Sequence, residues 1–254
     1  MLKTGLTSVT FRNLGIEQIV SLAGAAGADS IEWGGDIHVP PGDLSAARRA
    51  AAASARAGLA VSSYGSYWGA GKSEDFTPVL DAAEALGAPV IRVWAGEDAP
   101  AECSEETFQR IAEDLSRISS AADQRGMRVA MEYHRGTLTE NAAGARAILS
   151  ACRAQNLGTY WQPNPDIGAE ENAHALTALL PYLAGVHVFK WTKGNERHPL
   201  ALGEDEWRAY MRIVRRADVS CCFMIEFVAG DRPEQYIRDA RVLNRLVTEE
   251  ELKG

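Results

Sequence analysis

The chain has 254 residues, 46% of them hydrophobic and 24% charged, with a formal net charge of −8 at pH 7. That composition supplies a globular core, and no Gly-, Ser- or Pro-rich stretch is long enough to be a linker, so one domain over residues 1–254 is expected. An acidic chain without a Lys/Arg-dense segment excludes nucleic acid as a partner, and no apolar run approaches the roughly 18 residues that span a bilayer.

The first β-type run, Lys3–Val9, is followed by a helical stretch at Ile16–Ala26 that stops at Gly27. The alternation continues with strand Ser30–Trp33 and helix Leu44–Ala57, closed by Gly58. Strand Ala60–Tyr64 precedes helix Glu74–Leu86, which Ser73 introduces and Gly87 ends. Strand Val90–Trp94 leads to helix Glu105–Gln124, between Ser104 and Gly126, and strand Arg128–Tyr133 to helix Glu140–Ala151 behind Thr139. Strand Thr159–Gln162 with helix Glu170–Leu180, and strand Val186–Phe189 with helix Asp205–Arg215, come next. The last pair is strand Cys222–Phe227 and helix Pro233–Leu246, where Asp231-Arg-Pro-Glu234 combines an N-cap, an early proline and an acidic third residue. Ser, Thr and Asp before acidic first turns satisfy free amide N–H groups, and glycine past the last turn accepts the left-handed conformation that ends a helix. Disorder is expected only in the charged stretch Glu249 to Gly254.

Most of these strands are continuous apolar runs, as strands covered on both faces should be. Eight strand–helix alternations specify parallel βα units. An open doubly wound sheet would show a Gly-rich phosphate turn after its first strand, and Leu6-Thr-Ser-Val-Thr-Phe11 has none. The expected fold is therefore α/β, a single (β/α)₈ TIM barrel, for which about 250 residues is typical. The N-terminal segment MLKTGLTSVTFRN lacks the apolar region of a signal peptide, so a cytoplasmic location is expected. Cys103, Cys152, Cys221 and Cys222 lack metal-knuckle spacing and read as reduced structural thiols.

In such a barrel the C-terminal strand ends share one mouth, where the active site lies. In Val129-Ala-Met-Glu132-Tyr-His134, alternation puts Ala130, Glu132 and His134 on one face. Phe223-Met-Ile-Glu226-Phe-Val embeds one acid among apolar residues, and a buried carboxylate is costly unless it is paired or ligates a metal. Gly185-Val-His187-Val-Phe-Lys190-Trp191 carries one histidine, and Tyr160-Trp-Gln162-Pro-Asn164 offers two amides. Glu132, Gln162, His187 and Glu226 form a mixed oxygen and nitrogen set for one divalent ion, with Mn²⁺ favoured and Mg²⁺, Co²⁺ or Zn²⁺ compatible. Taken singly, each glutamate has an alternative as a salt-bridge partner of Arg92 or Lys190, and the histidine as a satisfied core residue.

Trp33, Trp68, Trp94, Trp161 and Trp191 fall at or just after strand ends, where flat rings either stack on sugar C–H faces or cap the core. His38, in the loop Gly34-Gly-Asp-Ile-His-Val-Pro-Pro41, serves the mouth or fixes its own loop. Arg12, Tyr64 and Arg92 are candidates for binding hydroxyls, a carboxylate or a phosphate, and Arg92 is also placed to pair with Glu132.

Ile31-Glu-Trp-Gly-Gly with His38, Met131-Glu132-Tyr-His134, Val186-His187-Val-Phe-Lys190 and Leu202-Gly-Glu…Trp207…Met224-Ile-Glu226 follow one another in an order and spacing that resembles the sugar phosphate isomerase/epimerase superfamily. These are the xylose-isomerase-like barrels, which also include inosose dehydratases, ketose 3-epimerases and relatives of AP endonuclease IV. The resemblance covers nearly the whole chain. It implies one divalent metal held by a Glu on the fifth strand, an Asp on the sixth, a His near the seventh and a Glu on the eighth. Glu132, His187 and Glu226 match three of these positions. The family's Asp-x-x-His on the sixth strand is matched by Gln162-Pro-Asn-Pro165, which leaves Gln162 as a weaker, amide ligand.

The implied chemistry is proton removal next to a carbonyl, with Glu132 and Glu226 as acid/base residues on opposite faces of the substrate and His134 and Lys190 orienting or protonating its oxygens. The resemblance thus points to a metal-dependent isomerase or epimerase of a sugar, sugar acid or cyclitol, bound by Trp33, His38, Tyr64, Trp68, Arg92, Trp94, His134, Asn164, Lys190 and Trp191. A lyase or dehydratase on a keto-sugar would use the same site, and a metal-poor sugar-binding or partner subunit is the reading from another class. Phosphodiester cleavage is disfavoured by five histidines and an acidic surface. A homo-oligomer is compatible with the fold, since a barrel's outer helices can hide an interface.

Overall fold

Strands that are apolar on both faces need cover on both, and a parallel sheet closed on itself inside a ring of helices supplies it. The computed structural model describes residues 1–252. Among these, the chain runs through β1 (Leu2–Thr7), α1 (Ile16–Ala25), β2 (Ser30–Gly34), α2 (Leu44–Arg56), β3 (Ala60–Gly69), α3 (Thr77–Leu86), β4 (Val90–Trp94) and α4 (Glu105–Asp123). It continues with β5 (Arg128–Glu132), α5 (Ala142–Ala151), β6 (Leu157–Trp161), α6 (Ala169–Leu179) and β7 (Leu183–Val188). A short antiparallel hairpin, β8 (Lys190–Thr192) and β9 (Glu196–His198), then precedes α7 (Glu204–Arg216), β10 (Cys221–Ile225) and α8 (Pro233–Glu251). β10 pairs in parallel with both β7 and β1, which closes the expected eight-stranded barrel, β1 to β7 with β10.

Local signals place most boundaries. Ser104 accepts a hydrogen bond from the Thr107 amide at 3.1 Å and caps α4. Three starts differ from expectation. Ser73 adopts φ 54° and does not cap α3, which begins instead after Asp75 has accepted the Thr77 amide at 2.9 Å. Thr139 turns its hydroxyl to the Glu132 carbonyl, so Asn141 caps α5 by accepting the Gly144 amide at 2.9 Å. Asp231 pairs with Arg197, and α8 starts at Pro233 without a side-chain cap.

The charged C-terminal stretch is helical through Glu251, contrary to the expected disorder from Glu249. Glu249 pairs with Arg208 and Arg245, and the Leu2 amide donates to Glu251 Oε1 at 2.7 Å, which ties the end of α8 to the first strand. Lys253 and Gly254, the rest of that stretch, lie outside the described residues. No helix among the described residues is long and apolar enough to cross a membrane.

The large apolar core lies between strands and helices, and a smaller cluster of Ala130, Tyr160 and Met224 fills the barrel itself. Gly185 on β7 makes room for this filling, since a Cβ there would overlap the Tyr160 ring. The Tyr160 hydroxyl lies 3.0 Å from Ser63 Oγ across the barrel, and its ring centroid is 5.0 Å from that of His187, so the filling supports the floor of the mouth. Gly185→Ala is therefore expected to destabilise by about 1–3 kcal/mol through overpacking. Gly24→Ala, on exposed α1 with nothing within 4 Å of the new methyl, is expected to stabilise slightly. Urea unfolding of the two variants tests both signs.

Candidate active site

β4 sends Arg92 into the barrel, where its side chain is 2% exposed. Its Nε donates to Glu32 Oε1 on β2 at 3.0 Å, and its Nη1 forms a short ion pair with Glu132 Oε2 on β5. Glu132 Oε2 also accepts Trp94 Nε1 at 2.6 Å, and Glu32 Oε2 accepts Ser63 Oγ at 2.7 Å. Glu32 thus has both oxygens held by these donors, and Glu132 only Oε2. Glu132 Oε1 points toward His187 of β7.

His187 is fully buried, and its two nitrogens face different partners. Nε2 lies 3.4 Å from Glu32 Oε1. Nδ1 lies 3.2 Å from Gln162 Oε1, 3.5 Å from Glu226 Oε2 and 3.7 Å from Glu132 Oε1. Donors around one ion at about 2.1 Å in a tetrahedron stand about 3.4 Å apart. The three oxygens are therefore spaced from Nδ1 as co-ligands of one ion would be, and ligand atoms of Glu132, His187 and Glu226 all lie within 4.8 Å of one another. The residues present fit a divalent cation.

Burial alone would push these carboxyls up and the imidazole down. For Glu32 the Arg92 and His187 charges overcome burial and hold the pKa at about 2. Glu132 is likewise held well below the ordinary carboxylate range, chiefly by Arg92. Glu226 goes the other way, because burial together with the Glu132 charge outweighs His187 and Arg92 and raises its pKa. His187 is pushed up to about 10, since Glu226, Glu32 and Glu132 overcome its burial.

Above this cluster opens a cavity of about 160 Å³. Glu132, Gln162 and Glu226 line it from below, with Arg92 between its two carboxylates. Trp94, His134, Asn164 and Trp191 of the expected substrate-binding set form its walls. Trp191 stacks on Phe189 with centroids 4.2 Å apart, and His134 donates through Nδ1 at 2.7 Å to the Arg135 carbonyl.

Five expected substrate contacts do not line this cavity. Trp33 follows inward-facing Glu32 and so turns outward, donating to Ser54 Oγ of α2 at 3.3 Å. Tyr64 follows inward-facing Ser63, and its hydroxyl donates to the Val39 carbonyl at 2.8 Å. Trp68 lies beyond a register shift in β3 and packs edge-on against Phe76. His38 faces the Leu14 carbonyl through Nε2 at 3.0 Å and fixes its own loop. Lys190 Nζ binds both Glu206 oxygens, at 2.7 and 2.8 Å. Arg12 pairs with Asp36 and donates to the Tyr67 hydroxyl at 3.1 Å, while Trp161 packs outward against Trp207 and Tyr210.

Several residues of the site escape the sequence reading, Arg135 of the cavity wall among them. Glu32 carries the same signal as Glu226, one acid in an apolar strand. Tyr67 and Phe227 line the cavity with φ of 59° and 49°, a strained conformation for bulky side chains that residue type does not announce.

A closed βα barrel with a buried carboxylate–histidine cluster at its strand ends defines a TIM-barrel protein with a candidate metal centre. Residues 20–246 match the model of the xylose isomerase-like TIM barrel family, and the chain belongs to that family. No curated protein matches it by sequence. Among solved structures it is similar to the probable 3-DHS dehydratase AsbF of Bacillus anthracis, with 18% identity over 96% of this chain and 99% of that one and a TM-score of 0.81. It is also similar to a xylose isomerase domain protein of Planctomyces limnophilus, at 18% identity over 99% and 97% of the two chains and a TM-score of 0.78. The 3-keto-D-glucoside 4-epimerase YcjR of E. coli aligns over 98% and 100%, with 18% identity and a TM-score of 0.74. Identities this low show a common fold.

The shifted groups make stability depend on pH in protein stripped of metal by chelation. Glu32, lowered from 4.5 to about 2, contributes stability that is present above pH 4.5 and lost as pH falls toward 2. His187, raised from 6.5 to about 10, contributes stability that is full below pH 6.5 and lost as pH rises through 10. Raised Glu226 adds a decline that begins as pH rises above 4.5. Urea midpoints of the chelated protein are expected to fall as pH rises above 6.5, with His187 contributing at most about 1.4 kcal/mol per pH unit. A decline that persists unchanged in His187→Gln would show that this imidazole carries no charge in the fold.

Proposed function

We propose that the chain is a metal-dependent isomerase or epimerase of a sugar, sugar acid or cyclitol, working by proton transfer next to a carbonyl. The observation that carries this reading is the arrangement around His187 Nδ1: three oxygens at 3.2 to 3.7 Å, two of them from glutamates that open onto the same small cavity. Glu132 Oε1, Gln162 Oε1, His187 Nδ1 and Glu226 Oε2 would hold the ion. Largely oxygen donors favour Mn²⁺ or Mg²⁺, with Co²⁺ and Zn²⁺ compatible. When bound, the ion supplies a Lewis acid that polarises a substrate carbonyl.

The two glutamates are unequal. Arg92 and Trp94 keep Glu132 ionised and fixed, so it serves as a positioned anion and the weaker base. Glu226 is not held by Arg92 or Trp94 and opens onto the cavity, which leaves it the freer of the two to take a proton from carbon and return it. Trp191 on Phe189, with Phe227 at 6.0 Å, offers a flat wall for sugar C–H groups, and His134 and Asn164 offer polar contacts for its hydroxyls.

The same inequality favours a second reading, a lyase or dehydratase acting on a keto-sugar, which needs one base and a means of expelling the β-substituent. The similar barrels include a 4-epimerase and a probable dehydratase, which supports both readings.

Purified protein reconstituted with Mn²⁺ is expected to retain about one ion per chain by elemental analysis. Glu132→Ala and Glu226→Ala are expected to lose it, and retention in both would refute the assigned ligands. On a substrate found by screening keto-sugars and sugar acids, Glu226→Gln is expected to lower kcat by about 10²-fold or more. Product mass then separates the readings: unchanged mass marks an isomerase or epimerase, and loss of water a dehydratase.

A further inference from the structure

Glu32 touches neither the cavity nor the three oxygens in front of His187, yet it is buried, ionised and wired into the cluster. Its Oε2 accepts Ser63 Oγ at 2.7 Å, its Oε1 accepts Arg92 Nε at 3.0 Å, and that same Oε1 is 3.4 Å from His187 Nε2. His187 Nε2 has no hydrogen-bond partner of good geometry among the described residues. A carboxylate held from two sides and facing a buried, unsatisfied ring nitrogen is an arrangement that dictates where the imidazole proton sits.

The two neutral tautomers are not equivalent here. With the proton on Nδ1, the ring donates to Gln162 Oε1 at 3.2 Å, but the Nε2 lone pair then faces an anionic oxygen at 3.4 Å with no water-exposed surface to relieve it. With the proton on Nε2, the ring donates toward Glu32 and the Nδ1 lone pair points at Gln162, Glu226 and Glu132. The second arrangement removes a repulsion and turns the N–H toward an anionic oxygen.

We propose that Glu32 is a positioning residue for the metal centre: it holds the His187 proton on Nε2 and so presents Nδ1 as a ligand. A carboxylate behind a ligating histidine fixes ring orientation and raises ligand basicity. Arg92 makes the device rigid, because one guanidinium anchors Glu32 behind the imidazole and Glu132 in front of it. This inference rests on the proposed metal reading.

Zn²⁺ is a suitable probe because it is diamagnetic. Nitrogen NMR of the histidine-labelled, Zn²⁺-loaded parent is expected to show the His187 proton on Nε2 and a metal-shifted Nδ1. Calorimetric Zn²⁺ titration is expected to give a Kd about 10- to 100-fold weaker in Glu32→Gln than in the parent, with Glu32→Asp recovering part of the loss. A proton on Nδ1 in the loaded parent overturns the proposal, and this measurement stands even where a Glu32 variant does not fold. Parent-like Zn²⁺ affinity in a folded Glu32→Gln overturns it as well and leaves the metal reading intact. Failure of the parent itself to take up Zn²⁺ overturns the metal reading and this role of Glu32 together.

Discussion

A single buried guanidinium organises the mouth of this barrel. Arg92 is nearly inaccessible to solvent, and a cation in that position is stable only if anions meet it with good geometry. Glu32 and Glu132, from the strands two before and one after it in the chain, do so through different nitrogens of the same planar group. Because the guanidinium is rigid, the positions of the two carboxylates are coupled. His187, which lies between them, inherits its orientation from that coupling, and the oxygens available to a ligand are the ones that Arg92, Trp94 and Ser63 leave free.

Charge counting shows what the arrangement demands. Glu32, Glu132 and Glu226 bring three potential negative charges into a buried volume, and Arg92 supplies one fixed positive charge. The shortfall of two is met by a divalent cation with neutral His187, or by protons on His187 and Glu226, which are the two groups whose pKa values rise. The same cluster is thus suited to exchange metal for protons, and metal affinity in such a site depends on pH. A fully apolar replacement would relieve the burial cost but would remove the donors themselves.

Much of the architecture is legible in the sequence, because apolar strand runs alternate with helical stretches, several of them ended by glycine, and leave few other topologies. The clustered residues of the floor are legible for a related reason: Glu132, His187 and Glu226 are each a lone polar group in an apolar strand. Glu32 obeys the same rule and is overlooked because it stands beside Trp33, whose size draws attention to the wrong face. Strict alternation from Glu32 and Ser63 would have sent Trp33 and Tyr64 outward to α2 and its preceding loop, where they lie. What alternation cannot supply is the irregular backbone. Trp68 is displaced by the register shift in β3, and the left-handed Tyr67 and Phe227 enter the cavity through conformations that their side chains disfavour. Lys190 and His38 are claimed by partners distant in sequence, Glu206 and the Leu14 carbonyl, which alternation does not reveal.

Floor and rim of the cavity are built on different physics, and that difference bears on which part of the site sets the substrate. The floor consists of buried ion pairs and hydrogen bonds whose members cannot move singly without leaving an unpaired charge in a low-dielectric setting. The rim is held by partly exposed pairs: Arg135 reaches Asp166 at 2.7 Å and also contacts Asn195 in the β8–β9 turn, while Arg197 pairs with Asp231 and lies over the Phe227 ring. Exposed pairs of this kind contribute little each and yield readily to substitution. A barrel so divided can hold its floor constant while its loops vary, the general way one barrel fold comes to serve many substrates. On the proposed reading, chemistry in this chain is written in Glu132, His187, Glu226 and the Arg92–Glu32 support beneath them, and selectivity in Tyr67, Arg135, Asn164, Trp191 and the hairpin that carries Trp191 over the mouth.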